Sequence, residues 1–149
     1  MPYVANKIID GLYQGGYPPG GDSLSKQGVH VLVLCAEEHQ DASMYEGLEV
    51  ILAPGDDDRR PERLARDIDG WKSAAAQVAE HVMAGKKVLV TCMQGLNRSG
   101  IVTALALREL TGMSGTEIVR HIQERRERAL FNTTFVAYIV ASFPERQEP

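Results

Sequence analysis

Lys87-Val88-Leu89-Val90-Thr91-Cys92-Met93-Gln94-Gly95-Leu96-Asn97-Arg98-Ser99-Gly100 is the stretch on which the reading of this 149-residue chain turns. The β-branched, apolar run Lys87 to Val90 predicts a strand, and the residues from Ser99 to Leu110 predict a helix. Between them lies a short loop with a thiol at its start and an arginine six positions on. A loop that turns successive backbone N–H groups inward at a helix N-terminus forms an anion-sized nest. The helix dipole, the amides and a fixed guanidinium all favour the ionised form of the thiol. Arg98 adds a planar fork suited to bidentate phosphate binding, which a lysine cannot reproduce. Cys92 therefore reads as a nucleophile, and Met93, Gln94, Gly95, Leu96, Asn97 and Arg98 as the cradle of an anionic substrate. The plainer reading of Cys92, a small buried thiol at a strand end, leaves the rest of the loop without a purpose.

Outward from this loop, the chain alternates strands and helices. Ile8 to Gly16 reads as an opening strand and turn, followed by the Pro- and Gly-rich Tyr17 to Gly21. Asp22 is placed to cap a short helix from Ser23 to Gln27. Val29 to Ala36 is almost unbroken in apolar residues, as in a strand covered on both faces of a parallel sheet. Leu48 to Leu52 is a further strand, and Pro61 opens a long helix over about Glu62 to Ala84. Ile68, Trp71, Ala75, Val78 and Val82 recur at helical spacing, so Trp71 reads as a packing residue. Ser114 and Glu117 form a capping box, and Asn132 caps a last helix from Thr133 to Ala141. The expected architecture is α/β: one domain over 1–149, a central, mostly parallel sheet flanked by helices, and the C-x5-R loop between a strand and a helix.

Composition narrows the class of function. The chain is 44% hydrophobic and 24% charged, as in ordinary globular domains. Its net charge of −4 argues against a nucleic-acid groove. No apolar run approaches the roughly 20 residues of a membrane helix, and Met1 to Lys7 lacks a signal-peptide pattern. Two cysteines make no disulfide framework, and a reactive thiol suits a reducing compartment, so a soluble cytoplasmic protein is expected. No His, Cys or Asp spacing suggests a metal site, and no cofactor is expected.

The Cys92 to Ser99 string matches the C-x5-R-[ST] signature of the cysteine-dependent protein phosphatases. More closely, the chain resembles the compact, atypical dual-specificity branch. Ile9-x-x-Leu12-Tyr13-x-Gly15, the Gly28-x-x-Val31-Leu32 strand, the acidic loop, C-x5-R and Asn132-x-x-Phe135 fall in family order. The resemblance implies hydrolysis of phosphate monoesters through a phosphocysteine intermediate, on a phosphorylated protein or peptide. It places the general acid among Asp56, Asp57 and Asp58, with Asp57 at the matching position, third after Pro54. Crowding of these carboxylates is expected to raise the proton affinity of at least one. By itself Ser99 reads as a helix N-cap, whereas the resemblance gives its hydroxyl the task of helping the thiolate leave. The resemblance also raises a reversible Cys35–Cys92 disulfide, against the reading of Cys35 as an inert core thiol.

Three positions depart from the family pattern. Thr91 stands where a histidine usually precedes the cysteine, and Phe131 where a proline usually precedes Asn132. Asn97 is an uncommon residue before the arginine and resembles the RNA 5′-triphosphatase branch. Arg59, Arg60, Arg120, Arg125, Arg126 and Arg128 are read either as a solvated charged face or as contacts to a second anionic group. His30, His39, His81 and His121 carry no pattern, and His121 is taken as a surface residue. Two alternatives stand beside the protein phosphatase: an RNA 5′-phosphatase, and a pseudophosphatase that binds phosphorylated partners without turnover. The second usually lacks the cysteine, the arginine or the acid, all of which this chain retains.

Overall fold

Where one opening strand is expected, the chain forms a hairpin. β1 (Ala5–Ile9) and β2 (Leu12–Gly15) pair antiparallel across Asp10-Gly11. Gly11 takes φ +85°, a conformation that a tight hairpin turn demands and a side chain resists. The computed structural model describes residues 3–146. β3 (Val31–Leu34), β4 (Glu49–Leu52) and β5 (Val88–Thr91) complete a sheet of order β1-β2-β5-β3-β4, parallel from β2 onward.

β5 lies at the centre, hydrogen-bonded to β2 on one side and β3 on the other. Every residue of β3 and β5 is buried, which is why both read as continuous apolar runs rather than alternating ones. Alternate residues serve two cores. Val31, Val33, Cys35, Val88, Val90 and Cys92 join the larger core beneath the long helices. Leu32, Leu34 and Leu89 point the other way, against Leu24 and Tyr45.

The smaller core is covered by α1 (Gly21–Lys26), whose N-cap position is Gly20, so Asp22 lies in its first turn and does not cap it. A 3-10 turn over Ala42–Tyr45 packs beside it, its first turn closed by Asp41, whose carboxylate accepts from the Ser43 N–H. On the larger face, α2 (Pro61–Met83) buries Leu64, Ile68, Trp71, Ala75 and Val78. Trp71 packs edge-on against Phe135, with ring centroids 5.4 Å apart, and donates its indole N–H to the Ala53 carbonyl at 3.0 Å. α3 (Arg98–Thr111) is buried from Ser99 to Leu107 and ends at Gly112 in the left-handed conformation, φ +72°. α4 (Gly115–Arg125) opens with the Ser114–Glu117 capping box, and α5 (Thr133–Ser142) with the Asn132 side chain accepting from Thr134 and Phe135 N–H. The loop from Cys92 to Asn97 thus leaves the carboxyl end of the central strand and enters the most buried helix.

Candidate active site

Four consecutive carbonyls of this loop are fastened to the body of the protein. Met93 O accepts from the Tyr17 N–H at 3.0 Å and Leu96 O from the Leu130 N–H at 3.0 Å. Gln94 O accepts from Arg126 Nη2 at 3.0 Å. Gly95 O accepts from Arg126 Nε at 2.6 Å and Gln14 Nε2 at 2.9 Å. In a planar trans peptide the N–H points away from the preceding C=O. Holding these carbonyls outward therefore aims the amides of Gln94, Gly95, Leu96 and Asn97 into the bowl above Cys92. Among the described residues none of these amides donates to a backbone carbonyl. Gly95 is required here: it takes φ +72°, and a Cβ would lie 2.3 Å from the carbonyl carbon of Gly15.

Cys92 is 4% exposed, with Sγ 3.3 Å from Ser99 Oγ. Ser99 is the second residue of α3, not its N-cap; that place belongs to Asn97. Arg98 opens α3, and its Nη1 donates to Glu38 at 2.5 Å and to Gly55 O at 3.3 Å. Its Nε and Nη2 donate to nothing among the described residues, which leaves one edge of the fork free for an anion. Partial burial pushes the Glu38 carboxyl up, but the hydrogen bond and charge of Arg98, with a backbone hydrogen bond and the nearby His39, together outweigh it and hold the group below its ordinary value. Glu38 carries no sequence signal; it lies in the connection after β3, which is tied to the Cys92 loop through Thr91. Gln40 Nε2 donates to Thr91 Oγ1 at 3.0 Å, and Thr91 Oγ1 donates to Val33 O at 2.7 Å. Gln40 Oε1 accepts the Ala36 N–H at 2.8 Å. The position of the missing histidine is thus a buried polar anchor between two strands.

The three aspartates separate by their partners. Asp56 pairs with Arg66 at 2.7 Å, and Asp58 with Arg60 at 2.7 Å. Hydrogen bonds from the Arg60 side chain and backbone hold Asp58 well below the usual carboxylate range. Arginines thus engage the two carboxylates on either side of Asp57. Asp57 has no ion-pair partner among the described residues and is held by two amides instead. Asn97 Nδ2 donates to Oδ2 at 3.0 Å and Asn132 Nδ2 to Oδ1 at 2.8 Å. Asn97 Oδ1 also accepts the Asn132 N–H at 2.9 Å, so the two amides form one bracket. Each carboxyl oxygen keeps a lobe free for a proton. Asp57, Cys92, Met93, Gln94, Leu96, Asn97 and Arg98 line one cavity of ≈ 260 Å³.

Other basic residues divide differently from the expectation. Arg126 reaches the loop from behind and donates also to Asn6 Oδ1 at 2.8 Å, so it is a brace rather than a contact for a second anion. Arg60 is taken up by Asp58, and Arg125 donates to the His121 carbonyl. His121 is half-buried, its Nε2 2.7 Å from Ile8 O, and not the free surface residue expected. Cys35 follows Leu34, the register partner of Thr91, and so stands beside Cys92 on the same face of the sheet. Both thiols are free, and burial pushes that of Cys35 up, with the charge of nearby Cys92 adding to the shift.

Known proteins share this fold. Residues 12–143 match the family model of the dual specificity phosphatase catalytic domain. The chain is similar to the Leishmania major protein tyrosine phosphatase PRL-1, 29% identical over 133 residues, covering 85% of this chain and 75% of that protein. Human DUSP28 has the same fold, with TM-score 0.74 and 20% identity over 92% of this chain and 96% of that one. The human tyrosine phosphatase-like serine/threonine/tyrosine-interacting protein superposes with TM-score 0.73 at 20% identity, over 93% of this chain and 94% of that one. Because the family match runs from β2 to the end of α5, it takes in the Cys92 loop, the Asp57 loop and the helices that brace them, and this chain belongs to the family of dual specificity phosphatase catalytic domains.

Proposed function

We propose that this chain, as one catalytic domain over 1–149 in a reducing cytoplasm, hydrolyses phosphotyrosine, and with it phosphoserine or phosphothreonine, in protein and peptide substrates. The observation that carries the reading is a buried thiol and a bracketed, unpaired carboxyl facing one cavity ringed by inward amides. In the first step the Cys92 thiolate attacks phosphorus, the bond to the leaving oxygen breaks, and Asp57 gives that oxygen its proton. The charge on the equatorial oxygens meets the loop amides and the free edge of Arg98. In the second step water attacks the phosphocysteine, Asp57 takes a proton from the water, and the electron pair of the P–S bond returns to sulfur beside Ser99.

Asn97, the one residue that favoured an RNA 5′-phosphatase, has its amide engaged by Asp57 and Asn132, so its presence has a structural reason. The test is a panel of phosphotyrosine peptides, phosphoserine peptides, triphosphate-ended RNA and phosphoinositides. Fastest turnover of phosphotyrosine peptides is expected. Preference for RNA ends overturns the substrate class, and tight phosphopeptide binding without turnover makes the protein a binding module.

A further inference from the structure

Ser99 is wholly buried in the first turn of α3, its Oγ 3.3 Å from Cys92 Sγ. A serine at the start of a helix commonly donates to the carbonyl four residues back, which here is Gly95. That acceptor is full. A carbonyl oxygen offers two lone pairs, and Gly95 O accepts from Gln14 Nε2 at 2.9 Å and from Arg126 Nε at 2.6 Å. Gln14 Nε2 also lies 3.3 Å from Ser99 Oγ, so Gln14 donates into the hydroxyl and the hydroxyl proton cannot point back at it. The remaining hydrogen-bond contact of Ser99 Oγ among the described residues is the sulfur of Cys92, 3.3 Å away.

The orientation of the Gln14 amide follows from its neighbours. Gly95 O only accepts, so nitrogen must face it. Among the described residues Gln14 Oε1 then has no partner, in a side chain that is 0% exposed. Gln14 lies on β2 opposite Val90 of β5, in a setting where an apolar residue would leave no orphan. A buried unsatisfied oxygen calls for a reason other than folding.

We propose that Gln14 is a positioning residue: by filling the Gly95 carbonyl and donating to Ser99 Oγ, it directs the Ser99 proton at Cys92 Sγ. This rests on the phosphatase reading and deepens it. The directed hydrogen bond stabilises negative sulfur twice, in the resting thiolate and when the P–S bond breaks under attack by water. Ser99 keeps its proton throughout; the proton taken from water goes to Asp57.

Gln14→Met is nearly isosteric and removes both donors. The first readout is the rate of Cys92 alkylation by iodoacetate against pH, which requires no turnover. Its profile is expected to move alkaline by about one pH unit, equivalent to roughly tenfold less thiolate on the acid side. The second is stopped-flow hydrolysis of p-nitrophenyl phosphate, where a burst is expected as breakdown of the phosphocysteine becomes slowest. Ser99→Ala should show both effects, and the double variant no more than either alone, because the two residues act through one hydrogen bond. An alkylation profile unmoved in Gln14→Met, or shifts that add in the double variant, overturns the proposal. If circular dichroism shows Gln14→Met unfolded, Gln14→Asn is read in the same way, since its amide falls one methylene short; a wild-type profile there overturns the proposal. A shifted alkylation profile in Gln14→Met, together with a wild-type protein that turns over no phosphate ester, supports the role of Gln14 and overturns the phosphatase reading instead.

Discussion

The Cys92 loop and the Asp57 loop face the same cavity and are held there by opposite means. The first is fixed by its own backbone: four carbonyls are tied to Tyr17, Arg126, Gln14 and Leu130, and Gly95 touches the backbone of Gly15. The second runs from Pro54 to Arg60 at the surface and is held by side-chain amides and exposed ion pairs. Fixed dipoles aimed at a developing charge act best when they do not reorganise, so the cradle is built into the core. A proton donor must meet substrates of different bulk, and a loop with few buried contacts opens at low cost. Substitutions in the first loop should therefore disturb chemistry and fold together, and those in the second chemistry alone.

The largest expected effect tests the nucleophile. Cys92→Ser should lower turnover by on the order of 10⁴-fold or more, because a hydroxyl stays protonated in the same cradle. Binding of tungstate, followed by calorimetry, should persist because the amides and Arg98 remain. Activity within tenfold of wild type would break the covalent mechanism.

Next comes the surface loop. Asp57→Asn should slow a phosphotyrosine peptide by about 10²-fold and an activated aryl phosphate only a few-fold, since a good leaving group departs without a proton. The melting temperature should stay near that of wild type. Equal losses for both substrates would remove Asp57 from the acid role, and a large loss of stability would erase the contrast between the loops.

Gly95→Ala probes the rigid side directly. Its Cβ would overlap the Gly15 backbone at a positive φ, so a destabilisation of about 2 kcal/mol, a fall of several degrees, is expected along with lost activity. An unchanged thermal melt would show that the cradle is less fixed than its hydrogen bonds imply.

The smallest effect concerns Glu38, about half exposed, which links the two regions through Arg98. Its folded-state pKa is lowered, so its contribution is present above the ordinary carboxylate value and is lost as pH falls through the folded one. Glu38→Gln should lower stability by a few tenths of a kcal/mol at neutral pH, and the difference from wild type should vanish in acid. A difference that grows on acidification would reverse the sign argued here.

Patterns that close within a few residues were legible in the chain alone. The central strand and the C-x5-R spacing put a thiol and a guanidinium at one strand–helix junction. The Ser114–Glu117 box and the Asn132 cap announced their helices, because a cap and its partners lie within three residues. The hairpin at Asp10-Gly11 passed as one strand because β1 and β2 are short and its two-residue turn lies inside an otherwise strand-like run. What required the tertiary structure was every pairing across the fold. Asp57 is set apart from Asp56 and Asp58 by the arginines that engage those two and by Asn97 and Asn132, 40 and 75 positions away. Arg126 reads as one more helix-face charge until the fold carries it behind Gln94 and Gly95. Gln14 has no signal on a strand, since its two partners lie 81 and 85 positions on. Residue type and short-range periodicity specify which groups a chain carries and the elements that hold them. Which group receives which hydrogen bond is decided by sheet register and loop packing, and these exist only once distant segments are in contact.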